Sequence, residues 1–323
     1  MLAVVCPGQG AQSPGLLRPW LELEGVTDQL AAAGDAAGVD LVRHGTESDA
    51  DTIRDTAVAQ PLIVATSLVA LRALLDGRPA AAIVDVTAGH SVGELAAAAV
   101  AGVLDDEAAV GLVSHRARSM AGAAALAPTG MSAVVGGEPE AVLSAIEAAG
   151  AYPANVNGGG QVVAAGSRES LAALAAQPPA RARVIPLQVA GAFHTPYMQP
   201  AQEEFAPVAE AWPAHDPVLP LLSDADGTVY AAHRGAPFGR GRDVLRRLAE
   251  QVVAPVRWDL CQLTLRAMGV TGMVELAPAG VLTGLARRAL PGVETVALVT
   301  PDDLPAARDL ARRHTARTEE APA

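Results

Sequence analysis

A serine set between two glycines, where a short apolar run gives way to an alanine-rich stretch, is the strongest chemical signal in the chain: Gly89-His90-Ser91-Val92-Gly93-Glu94. Ala82-Ile83-Val84-Asp85-Val86 reads as a short buried strand and Glu94 to Leu104 as a helix, so Ser91 falls on a strand-to-helix elbow. In such a turn the serine backbone is strained, the flanking glycines relieve crowding, and the hydroxyl stands clear of the sheet edge. The helix N-terminus behind it offers backbone N–H groups and a positive dipole end to an oxyanion. A glycine-rich turn with no chemistry fits the same residues, so the pattern alone does not decide.

A serine nucleophile needs a base, and the chain has 7 histidines. His44, His115, His215, His233 and His314 sit in loop-like or charged stretches that read as solvated. His194 differs, because Gly191-Ala192-Phe193-His194-Thr195-Pro196 places it at the end of an apolar segment. His90 is the competitor, but adjacent side chains on a sharp turn point apart. Asp105, Asp106, Glu107, Glu138, Glu140, Glu147 and Glu169 lie between Ser91 and His194 in polar helix starts or on surface stretches, and none reads as a buried orienting acid. A backbone carbonyl is then expected to orient His194, giving a dyad in place of a triad.

Pro7-Gly8-Gln9-Gly10-Ala11-Gln12 is a second glycine-rich turn, following the apolar strand Leu2 to Cys6. The N–H groups of Gln9 and of Val92 would together form an oxyanion hole. A plain strand-to-helix turn is the alternative. The spacing is not the G-x-G-x-x-G of a dinucleotide fold, so no nicotinamide cofactor is implied.

The elements that must carry these residues fall into two rhythms. From residue 1 to 125 strands alternate with helices: Leu2 to Cys6, a helix near Leu17 to Leu23, a helical run from Gln60 to Leu75, a strand at 82–87, then the elbow. Such alternation predicts a mainly parallel sheet covered on both faces. From 126 to 189 the order becomes strand Met131 to Val135, helix Pro139 to Ala149, strands Tyr152 to Asn157 and Gln161 to Ala165, helix Arg168 to Ala176 and strand Arg183 to Gln188. That β-α-β-β-α-β order is ferredoxin-like, and it reads as a small subdomain inserted in the large one.

The large subdomain is expected to resume over 190–312, with a helix at Gln202 to Ala211, a strand at Leu219 to Leu222, a Gly/Arg-rich loop at 235–242 and a helix at 243–253. A strand at Val274 to Glu275, a helix at Val281 to Leu290 and a strand at Thr295 to Val299 follow, and 313–323 reads as a flexible tail. An inserted unit leaves a cleft at its junction with the host, where ligands usually bind and where His194 would face.

Composition narrows the classes. Of 323 residues half are apolar but only 3% aromatic, a core of Ala, Val and Leu. Gln60 and Arg72 interrupt the longest apolar run, so no membrane span of roughly 20 residues is expected, and the Met1-Leu2-Ala3-Val4-Val5 start reads as a core strand rather than a signal peptide. A cytoplasmic monomer is the expectation. The net charge of −12 argues against nucleic-acid binding. All 23 basic residues are arginine, which removes lysine Schiff-base chemistry while leaving local arginine clamps for carboxylate or phosphate. Cys6 and Cys261 lie far apart without ligand-type neighbours and read as buried small hydrophobes, so neither a disulfide framework nor a metal site is expected.

Further motifs complete an ordered set. After Pro7-Gly8-Gln9-Gly10-Ala11-Gln12 and Gly89-His90-Ser91-Val92-Gly93-Glu94 come Arg116 in a helix ending at Met120 and Asn155-Val156-Asn157 before Gly160-Gln161-Val162-Val163. Gly191-Ala192-Phe193-His194, then Gln251 ahead of Pro255-Val256-Arg257-Trp258, and finally Leu282-Thr283-Gly284-Leu285 close it. Over residues 1 to 312 the chain resembles the malonyl-CoA:acyl carrier protein transacylase family of bacterial type II fatty acid synthesis.

The resemblance implies an α/β-hydrolase-like large subdomain and a ping-pong transfer of malonyl from coenzyme A, through an ester on Ser91, to the phosphopantetheine thiol of an acyl carrier protein. It makes His194 the base and then the acid, and the backbone carbonyl of Gln251 its orienting partner. It also implies Arg116 as a bidentate clamp on the free malonyl carboxylate and Asn155 as a substrate contact. Phe193 would narrow the pocket beside the malonyl methylene, a selectivity worth about 1–3 kcal/mol. No cofactor is implied; the coenzyme A thioester is itself the substrate. The chain departs from the family pattern at Ala117, usually glycine, and at Ala277-Pro278-Ala279-Gly280, in place of Gly-Pro-Gly. Without lysine, a carrier dock would fall to arginines such as Arg181, Arg183, Arg287 and Arg288. An acyltransferase serving a polyketide assembly line with another extender, a serine esterase, and a silent carrier-binding scaffold are the competing readings.

Overall fold

The computed structural model describes residues 1–230 and 238–315. The chain runs β1 (Leu2–Cys6), α1 (Val26–Ala37), α2 (Leu41–Thr46), α3 (Thr56–Leu75), β2 (Val86–Gly89), α4 (Gly93–Val100) and α5 (Asp106–Ala125). Then come β3 (Thr129–Gly136), α6 (Pro139–Ala148), β4 (Tyr152–Gly158), β5 (Gln161–Ser167), α7 (Arg168–Ala176) and β6 (Ala182–Pro186). The last stretch holds α8 (Gln199–Ala211), α9 (Gly241–Glu250), α10 (Trp258–Ala267), β7 (Gly272–Glu275), α11 (Val281–Ala289), β8 (Glu294–Ala297) and α12 (Leu304–His314).

These elements make a mixed α/β fold with two sheets. One is parallel throughout, in the order β2-β1-β7-β8, with Ala3 opposite Val86 on one side and Val4 opposite Val274 on the other. Every residue of β1 is buried, as a strand covered on both faces requires. Its alternation divides the core: Leu2, Val4 and Cys6 join the cluster containing Trp20, Leu62 and Phe205, while Ala3 and Val5 join the one around Trp258 and Leu282. The other sheet is antiparallel, in the order β4-β5-β3-β6, and α6 and α7 cover it through Val142, Ile146, Leu171 and Leu174.

Several elements differ from the sequence expectation. The helix near Leu17 to Leu23 is only a 3-10 turn at Trp20–Glu22, because Pro14, Gly15 and Pro19 leave no run long enough to propagate. The strand at 82–87 begins at Val86, and Ala80–Ala82 is a turn set up by Pro79. Leu221 and Leu222 form single bridges, to Thr87 and Val229, and no strand. The helix carrying Arg116 continues past Met120 to Ala125. The tail expected from 313 is helical as far as His314, where the imidazole bonds Thr271 and Glu294. Part of the Gly/Arg-rich loop, and His233, lie outside the described residues.

The expectation about membrane-length helices also changes. Thr56–Leu75 is one helix of 20 residues, long and apolar enough to cross a membrane, and 83% of its apolar window is buried inside the fold. Asp55 caps it, accepting from the Ala57 N–H at 2.8 Å.

Candidate active site

The elbow is formed where β2 ends at Gly89 and α4 begins at Gly93. A Cβ on Gly89 would overlap the backbone of Gly93, and one on Gly93 would overlap the Cys6 carbonyl, so both positions require glycine. Ser91 has φ 53, in the left-handed region that costs a non-glycine residue about 1 kcal/mol or more. Pro7 to Gln12 packs directly on this turn: a Cβ on Gly8 would lie 2.8 Å from the His90 carbonyl oxygen. Among the described residues neither the Gln9 nor the Val92 N–H has a hydrogen-bond partner.

His194 arrives from the far side, in the turn between β6 and α8, also in the left-handed region at φ 61. Its Nε2 lies 2.7 Å from Ser91 Oγ, and its Nδ1 3.1 Å from the Gln251 carbonyl oxygen. Gln251 opens the 3-10 turn after α9, and its side chain is buried. The imidazole is 4% exposed, and burial, then the Arg116 charge, push its pKa down to about 3 against the Gln251 carbonyl bond that raises it. Nδ1 facing a carbonyl carries the proton, which leaves Nε2 to accept one from the serine hydroxyl.

Arg116 on α5 is fully buried. Its Nη1 donates to Gln60 Oε1 at 2.8 Å, and its Nη2 to Gln251 Oε1 at 3.0 Å and to Ser91 Oγ at 3.4 Å. Its Nε has no partner among the described residues. Burial lowers its pKa to about 10, with Asp224 and Glu94 opposing, so the guanidinium keeps its charge at neutral pH. Two glutamine amides fix the fork while donors remain for an incoming anion.

A cleft of about 420 Å³ opens beside the elbow, lined by Gly8, Gln9, Gly10, His90, Asn155, Asn157 and Gln161 with apolar Val163, Val281 and Leu285. Asn155 on β4 bridges Val256 through the backbone and presents an Oδ1 with no partner among the described residues. His90 turns away from the serine, its Nε2 at 2.8 Å from Asn157 Oδ1, and the Asn157 amide donates to Gln161 at 2.8 Å, tying the elbow to the antiparallel sheet. Phe193 is 6% exposed, joins the main core cluster and does not line the cleft.

Three residues, Glu94, Asp224 and Gln60, have no role in the sequence reading. Glu94 and Asp224 are buried acids at 2% and 0% exposure, yet neither touches His194. Asp224 instead accepts from the Ser91 N–H at 2.6 Å and the Gln251 amide at 3.0 Å. Glu94 Oε1 accepts from the Asp224 N–H at 3.1 Å and the Tyr230 hydroxyl at 3.4 Å. Gln60 read only as an interruption in an apolar run, although a buried amide in such a run must find a buried partner.

The acyl transferase domain family model matches residues 3–303. A malonyl CoA-acyl carrier protein transacylase of Mycobacterium tuberculosis is 48% identical over 309 residues, 94% of this chain and 98% of that protein. A crystal structure of the M. tuberculosis enzyme superposes with a TM-score of 0.89 at 48% identity, covering 95% of this chain and 99% of the other. A malonyl-transacylase solved in complex with its type II polyketide synthase acyl-carrier protein superposes at 0.85 with 27% identity, over 95% and 99% of the two chains. The chain therefore belongs to the acyl transferase domain family, among the malonyl CoA-acyl carrier protein transacylases.

Proposed function

We propose that the chain moves malonyl from coenzyme A to the phosphopantetheine thiol of an acyl carrier protein through an ester on Ser91, in fatty acid synthesis. His194 Nε2 takes the hydroxyl proton as Oγ adds to the thioester carbonyl, and the Gln9 and Val92 N–H groups receive the oxyanion. Collapse breaks the C–S bond, and the departing sulfur takes the proton back from His194. The carrier thiol then repeats the steps in reverse, leaving Ser91 free. The reaction so written consumes no cofactor.

The observation that carries this reading is the buried Arg116 guanidinium 3.4 Å from Ser91 Oγ. A nucleophile sharing its pocket with a fixed cation selects an acyl group with a carboxylate at its far end, and an esterase has no use for it. The same carboxylate would offset the Arg116 charge, one of the causes holding His194 low, and so strengthen the base as substrate binds. Asn155, with its free Oδ1, is read as a substrate contact, and Phe193, adjacent to the base but within the core, as a residue that limits the space behind the acyl group. The strand order of the antiparallel sheet supports a ferredoxin-like unit over 126–189 inserted in an α/β-hydrolase-like host over 1–125 and 190–312. A cytoplasmic location fits this reading.

Arg116→Ala tests it. Loading of malonyl from malonyl-CoA is expected to fall on the order of 100-fold while loading of acetyl from acetyl-CoA changes by less than about three-fold. Equal losses for the two would remove the clamp and return the esterase reading.

A further inference from the structure

Asp224 lies in the loop between Leu222 and Val229, which are themselves bridged, and its side chain is wholly buried. A buried carboxylate is costly, and here it forms no ion pair among the described residues. One oxygen, Oδ2, takes both hydrogen bonds, from the Ser91 N–H and the Gln251 Nε2, while Oδ1 meets no N–H donor among the described residues and the buried Glu94 carboxyl lies beside the group. Its backbone is pinned on both sides, its N–H by Glu94 Oε1 at 3.1 Å and its carbonyl by the Arg257 N–H at 2.6 Å.

Gln251 in turn holds His194 through its carbonyl and Arg116 through its Oε1. We propose that Asp224 is a positioning residue of the transfer reaction, fixing through one carboxylate oxygen both the strained backbone of the nucleophile and the side chain that orients base and clamp. It rests on the function proposed above for the reaction it serves, while its effect on Ser91 is independent of the acyl group.

The geometry explains why the residue is an acid. Two N–H donors converge on one oxygen, and an ionised carboxylate serves both more strongly than a neutral acceptor. An asparagine with its oxygen in place of Oδ2 accepts both bonds only as a neutral group, and sets amide hydrogens where Oδ1 lies. Displacements of about 1 Å in such constellations cost on the order of 100-fold in rate.

The test is Asp224→Asn in the full-length protein, read by three measurements. A fluorophosphonate probe labels the activated serine without using Arg116, and its rate is expected to fall at least about 10-fold. The kcat for malonyl transfer should fall by a similar factor with KM for malonyl-CoA within about two-fold, because an aligning role is lost and not a binding contact. The thermal midpoint should hold or rise, since a buried charge has gone.

Labelling and kcat within about two-fold of wild type would overturn the inference, as would losses matching the unfolded fraction. Loss of malonyl transfer with labelling intact would overturn it too, leaving Asp224 as a countercharge to Arg116. Asp224→Ala, which brings no amide hydrogens, gives the same readouts if the asparagine variant does not fold. A wild-type protein that takes the probe but never loads malonyl would overturn the proposed function, and the labelling rates would still decide the role of Asp224.

Discussion

His194 and Arg116 are 4% and 0% exposed, and burial drives both towards their neutral forms, to about 3 and about 10. For the histidine this keeps Nε2 free of a proton throughout the neutral range; for the arginine the remaining charge is ample. The depressed histidine carries a stability consequence. Unfolded, the imidazole takes a proton near its ordinary 6.5, while folded it does so only near 3, so the unfolded state binds more protons between these values and stability falls as pH drops through that window. His194→Ala removes that contribution. Urea unfolding at pH 6.5 and 4.5 should show wild type losing more stability on acidification than the variant, with a limiting slope difference of about 1.4 kcal/mol per pH unit. Parallel pH profiles would mean that His194 titrates normally in the folded protein.

At the level of elements, the elbow depends on how tightly β1, β2 and α4 approach. Gly93→Ala would press a methyl group on the Cys6 carbonyl and is expected to cost at least about 2 kcal/mol and to disturb Ser91. Gly122→Ala, on the exposed side of α5 with nothing near its Cβ, should stabilise by about 0.5–1 kcal/mol. Chemical denaturation of the two variants checks both signs. β1, β5 and α7 are legible in the sequence, the strands as short apolar runs bounded by turn residues and α7 through its Ser167 cap. The helices α1, α2, α10 and α12 are less plainly marked: Gly25 before α1 and Arg257 before α10 give no side-chain cap, and α2, though capped by Asp40, is only 6 residues long. Ser91 and His194 could be named because each falls in a local motif, and Arg116 only through the family resemblance. Asp224 could not, because its partners are 133 and 27 residues away in the chain.

For the whole molecule, the parallel sheet delivers the elbow and the loop of Gln9, while Gln251 and His194 close over them from the segments around α8 and α9. The antiparallel sheet forms the opposite wall of the cleft through Asn155, Asn157 and Gln161. On the proposed function, an acyl group would be held at both ends, with its ester at Ser91 and its carboxylate at Arg116, which would leave a stray water poorly placed for attack. The most direct test of this account is the intact mass of the protein after brief mixing with malonyl-CoA. The account predicts an increase of one malonyl group on the wild-type protein, lost on adding a holo acyl carrier protein that gains the same mass, and none on Ser91→Ala. Malonyl attached covalently to Ser91→Ala, or an unmodified wild-type protein, would contradict it.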